Sequence, residues 1–148
     1  MTEKLLRRSA LLVLFIFFLN TLATFFFWYS RIWWFDMPMH FLGGLFIGLI
    51  SVFLFEKYVR PRRPIARFIS SPALFYIGVV AVIAVGWEYY ELFIDMYFGT
   101  HAIHLLDTLS DICFDLAGGA TSLLYIFARY PFYSPPKLFT KESNTHEG

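Results

Sequence analysis

Asp107-Thr-Leu-Ser-Asp111-Ile-Cys-Phe-Asp115 is an acidic segment inside a run of residues that is otherwise apolar. Carboxylates four residues apart share one face of a helix and climb it in steps of about 6 Å. Burying one carboxylate in hydrocarbon costs roughly 2.5–3.5 kcal/mol on insertion scales. The three side chains therefore need cations, protons, water or hydrogen-bond donors, and the segment predicts a membrane helix that carries a polar site.

The composition places the chain among small membrane proteins. Its 148 residues suffice for one domain. Hydrophobic residues make up 58% of it, aromatic residues 22% and charged residues 16%, and the mean hydropathy is +0.59. Soluble domains carry more charge and fewer aromatic side chains. Cys113 is the single cysteine, which excludes an intrachain disulfide, and its apolar neighbours predict a buried, inert thiol.

Four apolar runs predict an all-α, polytopic four-helix bundle. The predicted membrane helices cover about 9–29, 38–55, 73–98 and 105–128. We expect one membrane domain over residues 1–130 and a polar, disordered cytoplasmic tail over 131–148. The first run shows no small-residue cleavage site, so we interpret it as a retained helix and not as a signal peptide.

The basic residues predict the orientation of the bundle. Of the 12 Lys and Arg residues, all but Arg31 lie before the first helix, between the second and third helices, or after the fourth. The positive-inside rule then puts both termini in the cytoplasm. We expect a multi-pass protein of the cytoplasmic (inner) membrane, with the lipid bilayer as partner and without nucleic-acid binding.

This orientation places most of the acidic side chains at one level of the membrane. They come from the outer start of the second helix and the outer halves of the third and fourth. Seven of the 11 acidic residues belong to this layer: Asp36, Glu88, Glu91, Asp95, Asp107, Asp111 and Asp115. His40 follows Asp36 by one helical turn and joins the same level. His101 and His104, in the outer turn, are more simply surface residues.

A layer of acidic side chains with one histidine predicts a divalent metal site. The predicted ligands are Asp36, His40, Glu88, Glu91, Asp107, Asp111 and Asp115. Oxygen ligands suit Mg²⁺, Mn²⁺ or Ca²⁺, and a histidine admits Zn²⁺ or Fe²⁺. Glu88, Glu91 and Asp111 are also candidates for acid–base catalysis or metal support. The alternative is a solvated acidic vestibule that holds only protons and water.

Small residues in two helices predict close helix packing. Gly43-Gly44 and Gly118-Gly119 would let two helices approach each other. Asn20 and Thr24, four residues apart in the first helix, are predicted to form hydrogen bonds between helices.

The polar motifs, in their order, resemble those of a known family. Asp36-Met-Pro-Met-His40, then Glu88-Tyr-Tyr-Glu91, then Asp107-Thr-Leu-Ser-Asp111 with Gly118 beyond are similar to the YjdF-type bacterial inner-membrane proteins, within the wider VanZ-like superfamily. The resemblance covers about residues 36–119. It implies a multi-helix membrane protein whose polar residues converge, and a role in the cell envelope. Asp115 and Glu91 stand where VanZ-like proteins tend to have Asn and Gln, which makes this site more acidic.

Three functions remain open from the sequence. The first is a metal-dependent hydrolase or transferase that acts on an outer-leaflet lipid or lipid-linked precursor. The second is a cation- or proton-coupled transporter, which with four helices would have to form a homo-oligomer. The third is a non-catalytic, VanZ-like envelope resistance module. The scarcity of basic residues on the outer side of the membrane argues against the first function, since Arg31 alone is available there to bind a phosphate.

Overall fold

The computed structural model describes residues 2–59, 71–98 and 105–130. Within these ranges the chain is helical and contains no strand, which confirms the predicted all-α class. The helices are α1 (Thr2–Phe25), α2 (Trp28–Arg31), α3 (Asp36–Leu54), α4 (Pro72–Phe98) and α5 (Leu105–Arg129), and α3 continues into a π-helical segment, Phe55–Val59. The basic loop 60–70, the turn with His101 and His104, and the predicted tail lie outside the described residues.

Four helical segments of the described chain are long and apolar enough to cross a membrane. They are Glu3–Phe25, Asp36–Val59, Pro72–Phe98 and Leu105–Arg129. Helices are expected here because hydrocarbon offers no partner to a backbone N–H or C=O group, so each must be satisfied within the segment. The four predicted membrane helices are therefore confirmed by length and composition.

The first helix differs most from its predicted bounds. It begins at Thr2, because charged residues such as Lys4 and Arg7 also adopt helical conformation and extend it beyond the apolar run. It ends at Phe25, because the backbone of Phe27 turns to φ 57° and ψ 38°, in the left-handed region. The short helix α2 follows this turn and carries Tyr29 towards the start of α3.

Helix α3 is the centre of the bundle, and α5 is its closest neighbour. A Cβ atom added to Gly44 would collide with the backbone of Asp115, and one added to Gly118 would collide with the backbone of Phe41. Gly119 similarly allows Val80 of α4 to approach. The predicted close packing at the paired glycines is confirmed, and it brings the acidic face of α5 against α3.

The hydrophobic core occupies the end of the bundle that holds the start of α1 and the end of α5. Its buried members include Leu5, Val52, Tyr76 and Ile126. At this end the guanidinium group of Arg8 donates a hydrogen bond to the Tyr125 hydroxyl. The two ends of the described chain therefore lie on the same side of the bundle, and the acidic residues lie towards the opposite end.

Candidate functional site

His40 is the residue around which the polar side chains gather. It lies one turn into α3 and is buried, with 6% of its surface exposed. Its Nε2 atom lies 3.6 Å from Oδ2 of Asp36, one turn earlier in the same helix. The same nitrogen lies 3.9 Å from Oδ2 of Asp111, which is on α5. One imidazole nitrogen thus faces two carboxylates from two helices.

The other nitrogen of His40 has a partner of its own. Nδ1 lies 3.1 Å from Oδ2 of Asp115, and both side chains are buried. An ionised carboxylate can only accept hydrogen bonds, so in the tautomer that pairs with an ionised Asp115 the Nδ1–H group donates a hydrogen bond to Oδ2. Nε2 then presents either a second proton or a lone pair to Asp36 and Asp111. If Nε2 presents a lone pair, a cation is needed between Nε2 and the two carboxylates, because the lone pair and the carboxylates repel one another.

Two deeply buried carboxylate oxygens have no hydrogen-bond partner. Asp111 is 3% exposed and its Oδ1 is unpaired, and Glu88 is 9% exposed and its Oε1 is unpaired. Thr108, one turn before the level of Asp111 on α5, is the hydrogen-bonding neighbour of the Glu88 carboxyl group. Buried polar atoms are normally satisfied, and an unpaired buried charge is costly. These two oxygens are therefore available to a ligand.

Side chains from α1, α2 and α4 extend the polar region. The indole Nε1 of Trp87 donates a hydrogen bond of 2.8 Å to Oε1 of Glu91, one turn later in α4. The hydroxyl of Tyr29 donates one of 2.7 Å to Oδ1 of Asn20. Burial, with the negative charges of Asp36 and Glu91, raises the pKa of Tyr29 to about 12. The phenol is therefore neutral at ordinary pH and acts as a donor.

A cavity of about 620 Å³ adjoins these residues between α1, α3 and α4. Its polar end is formed by Asn20, Tyr29, Asp36, His40, Trp87, Glu91 and Asp115. Its other end is lined by apolar side chains, among them Ile16, Phe46 and Ile83. The volume falls within the range of about 300–1,000 Å³ that is usual for small-molecule sites. The cavity has the shape and polarity gradient of a site for an amphiphile.

The structure sorts the predicted metal ligands into groups. The ligand atoms of Asp36, His40 and Asp111 lie within 4.8 Å of one another, and so do those of His40, Glu88 and Glu91. Asp115 contacts the other ring nitrogen of His40, Nδ1. Asp107 is exposed on the first turn of α5 and belongs to neither group. Six of the seven predicted ligands thus converge, and His40 is common to both groups.

Several residues of this region were not predicted from the sequence as site residues. Tyr29 and Trp87 belong to aromatic-rich segments, in which the same residue types face the membrane and the site. Asn20 was predicted to form a hydrogen bond between helices, and its Oδ1 atom accepts one from the Tyr29 hydroxyl of the short helix α2. Thr24 donates to the carbonyl of Asn20 within its own helix, at 2.9 Å. No pattern along the chain distinguishes an aromatic residue at the membrane interface from one that lines a cavity.

The prediction of a buried thiol is wrong for Cys113. The residue is exposed on the outer face of α5. Its apolar neighbours suggested a protein core, but a membrane helix has apolar residues on its lipid-facing side as well. Apolar surroundings in the sequence therefore do not distinguish these two environments.

The chain matches a known protein family. The family of predicted membrane proteins DUF2238 matches residues 3–131. The chain belongs to this family. It corresponds to the YjdF-type group suggested by the motifs, whereas kinship with the wider VanZ-like superfamily stays a prediction. No curated protein and no solved structure matches the chain.

Proposed function

We propose that the chain binds a divalent metal ion between α3, α4 and α5 and uses it on the headgroup of a lipid of the cell envelope. The observation that carries the proposal is the pair of unpaired, buried oxygens, Oδ1 of Asp111 and Oε1 of Glu88. Each of the two residues lies beside His40, Asp111 in the group with Asp36 and Glu88 in the group with Glu91. A divalent cation would neutralise the charge and complete the missing interactions.

The residues present suit such an ion. Asp36, His40 and Asp111 would hold it, because their donor atoms already lie within 4.8 Å of one another. Glu88 would support it from α4. A set of carboxylate oxygens with one imidazole fits Mn²⁺ or Zn²⁺ better than Mg²⁺, which prefers oxygen alone. In this arrangement Asp115 is a positioning residue, because its bond to Nδ1 orients the ring and directs Nε2 towards the ion.

The chemistry follows from the position of this group beside the cavity. A bound divalent ion polarises an ester or phosphate and lowers the pKa of a bound water. Asp36, His40 and Asp115 all line the cavity, so a headgroup that entered it would meet residues that are proposed to hold or orient the metal ion. Glu88 and Asp111 do not line the cavity and would contact the ion from the side away from it. The site is thus open to substrate on one side and closed on the other.

The cellular setting is part of the same proposal. The distribution of basic residues supports a cytoplasmic-membrane protein with both termini inside. The contact of Arg8 with Tyr125 supports a common side for the two ends. With this orientation the metal group lies in the outer half of the membrane, where it would meet lipids of the outer leaflet.

The test is the metal content of the detergent-purified protein, measured by mass spectrometry after exposure to Mg²⁺, Mn²⁺ and Zn²⁺. We expect stoichiometric metal in the wild-type protein and its loss in the double variant Asp111→Asn/Glu88→Gln. Glu3→Gln is the matched control, because it removes an exposed carboxylate at the far end of α1. Absence of metal from the wild type, or equal metal in all three proteins, would overturn the site.

The lipid part of the proposal has its own test. The metal-loaded protein is incubated with an envelope lipid extract, and the lipids are compared by mass spectrometry with those from the double variant. We expect conversion of one lipid class by the wild type alone. Metal-dependent cation flux in liposomes without lipid conversion would overturn the enzymatic role in favour of a carrier.

A further inference from the structure

The cavity between α1, α3 and α4 changes from apolar to polar along its length. On α4 its lining runs from Val80 to Glu91, which is roughly 16 Å at the helical rise per residue. Ile83 lies near the apolar end, and Trp87 lies one turn before Glu91 at the polar end. An occupant that matches this gradient has an apolar chain and a compact polar head.

The cavity opens sideways towards the membrane. In the described part of the chain α1 packs against α3, and it has no extensive contact with α4. Phe17 of α1 and Ile83 of α4 both line the cavity, and yet they are 70% and 45% exposed. These two side chains form the rim of an opening between the helices. An amphiphile in the bilayer could enter through it without crossing water.

The polar end attracts a positive charge. Among the described residues that line the cavity, Asp36, Glu91 and Asp115 carry carboxyl groups, and His40 alone is basic. Both ring nitrogens of His40 already face carboxylates. Glu91 is not among the residues proposed to hold or orient the metal ion, so its negative charge remains for the head of an occupant and favours an ammonium group over a sulfate.

Two aromatic side chains at this end add to the preference for a cation. Tyr29 and Trp87 line the cavity beside Glu91, and Trp87 fixes the Glu91 carboxylate with its indole N–H. Aromatic rings bind ammonium groups through the negative potential of their faces, and Trp and Tyr are the best at this. A carboxylate with two such rings is the usual composition of a site for an alkylammonium ion.

We infer that this cavity binds an amphiphile with one alkyl chain and an ammonium head. The chain lies between Ile16, Phe46 and Ile83, and the ammonium group lies among Tyr29, Trp87 and Glu91. The volume of about 620 Å³ and the single rim suit one chain. The ammonium site is the part of the cavity formed by Glu91 and the two rings, and none of these three residues is among those proposed above to hold or orient the metal ion.

Binding is tested by native mass spectrometry of the full chain in a maltoside detergent. The probes share one chain length and differ in the head: decyltrimethylammonium, decyl sulfate and decanol. We expect decyltrimethylammonium to bind most tightly. Glu91→Gln should weaken its binding roughly fivefold, as for loss of one partly exposed charge partner, and leave decanol unchanged.

Ile83→Trp fills the apolar part of the cavity and should abolish binding of decyltrimethylammonium. The matched control is Val82→Trp, which adds the same ring at the neighbouring position, 74% exposed and outside the lining. Metal content is measured in the same samples, and Ile83→Trp should leave it unchanged, so that failure of the cavity and failure of the metal site are distinguishable. Equal binding of the three probes, preference for decyl sulfate, or wild-type binding by Ile83→Trp would each overturn the inference.

Discussion

Nδ1 of His40 lies 3.1 Å from Oδ2 of Asp115, at the level where α3 and α5 approach most closely. The two helices can approach this closely because Gly44 has no side chain and leaves room for the backbone of Asp115. Helix packing and site geometry therefore depend on the same contact. The orientation of the imidazole ring, and with it the direction of Nε2, is set by the distance between these two helices.

Asp115→Asn should weaken metal binding without abolishing it. The amide oxygen can still accept the Nδ1 proton, but the charge that strengthens this bond is lost, and outer partners of this type typically contribute about 10–100-fold in metal affinity. Asp111→Asn should remove binding altogether, because it changes one of the proposed ligands. Metal titration of the two purified variants distinguishes the roles, and complete loss with Asp115→Asn would make Asp115 a ligand as well.

Gly44→Ala should destabilise the bundle, because its Cβ atom would collide with the backbone of Asp115. Overpacking of this kind typically costs about 1–3 kcal/mol. Gly86→Ala is the matched control, since a Cβ atom there meets nothing within 4 Å and alanine favours the helix. Thermal unfolding in detergent should show a lower midpoint for Gly44→Ala and an unchanged or higher one for Gly86→Ala. Equal midpoints would contradict the close helix approach.

Tyr29 should ionise only under strongly alkaline conditions. Its pKa is raised from 10.0 to about 12 by burial and by the charges of Asp36 and Glu91. Since the folded pKa exceeds the unfolded one, the contribution of Tyr29 to stability is complete below the unfolded value and is lost as the pH rises through the folded value. The phenolate absorbance difference between wild type and Tyr29→Phe should appear near pH 12 in the folded protein. A difference already complete at the pKa of an unfolded tyrosine would contradict the raised pKa of Tyr29.

Phe27→Asn should stabilise the turn between α1 and α2. The φ of Phe27 is 57°, and a left-handed conformation costs an ordinary residue roughly 1–2 kcal/mol, whereas Asn adopts it more readily. Phe26→Asn is the control, because Phe26 lies in the same turn without a left-handed backbone and packs against Phe25 and Trp28. The unfolding midpoint should rise for Phe27→Asn and fall for Phe26→Asn. A fall of equal size in both variants would show that the ring of Phe27 matters more than its backbone.

Much of the fold could be predicted from the chain itself. Apolar runs of sufficient length have few alternatives to a helix in hydrocarbon, so the membrane helices were predictable within a few residues, except at α1. The convergence of Asp36, His40 and Asp111 was also predictable in outline. A one-turn spacing places acidic side chains on one face, and a face of this kind must turn away from lipid.

The details of the site could not be predicted in this way. Asp107 and Asp111 have the same residue type on the same stripe, yet Asp107 is exposed and Asp111 is buried beside His40. The difference depends on where α3 crosses α5. In the same way, the exposure of Cys113 depends on which face of α5 meets α3, and apolar residues surround that helix on several sides.

The sequence by itself determined the class of this protein, the number of its membrane helices and the polar residues that had to find partners, because each follows from the cost of polar groups in hydrocarbon. Only the tertiary structure decided which nitrogen of His40 meets which carboxylate, which buried oxygens stay unpaired, and that a cavity opens beside them between α1 and α4. The physical reason is that helix periodicity specifies a face, whereas contacts depend on crossing points and distances between helices. In this protein the distance between α3 and α5 depends on Gly44, because any side chain larger than its hydrogen atom would collide with the backbone of Asp115.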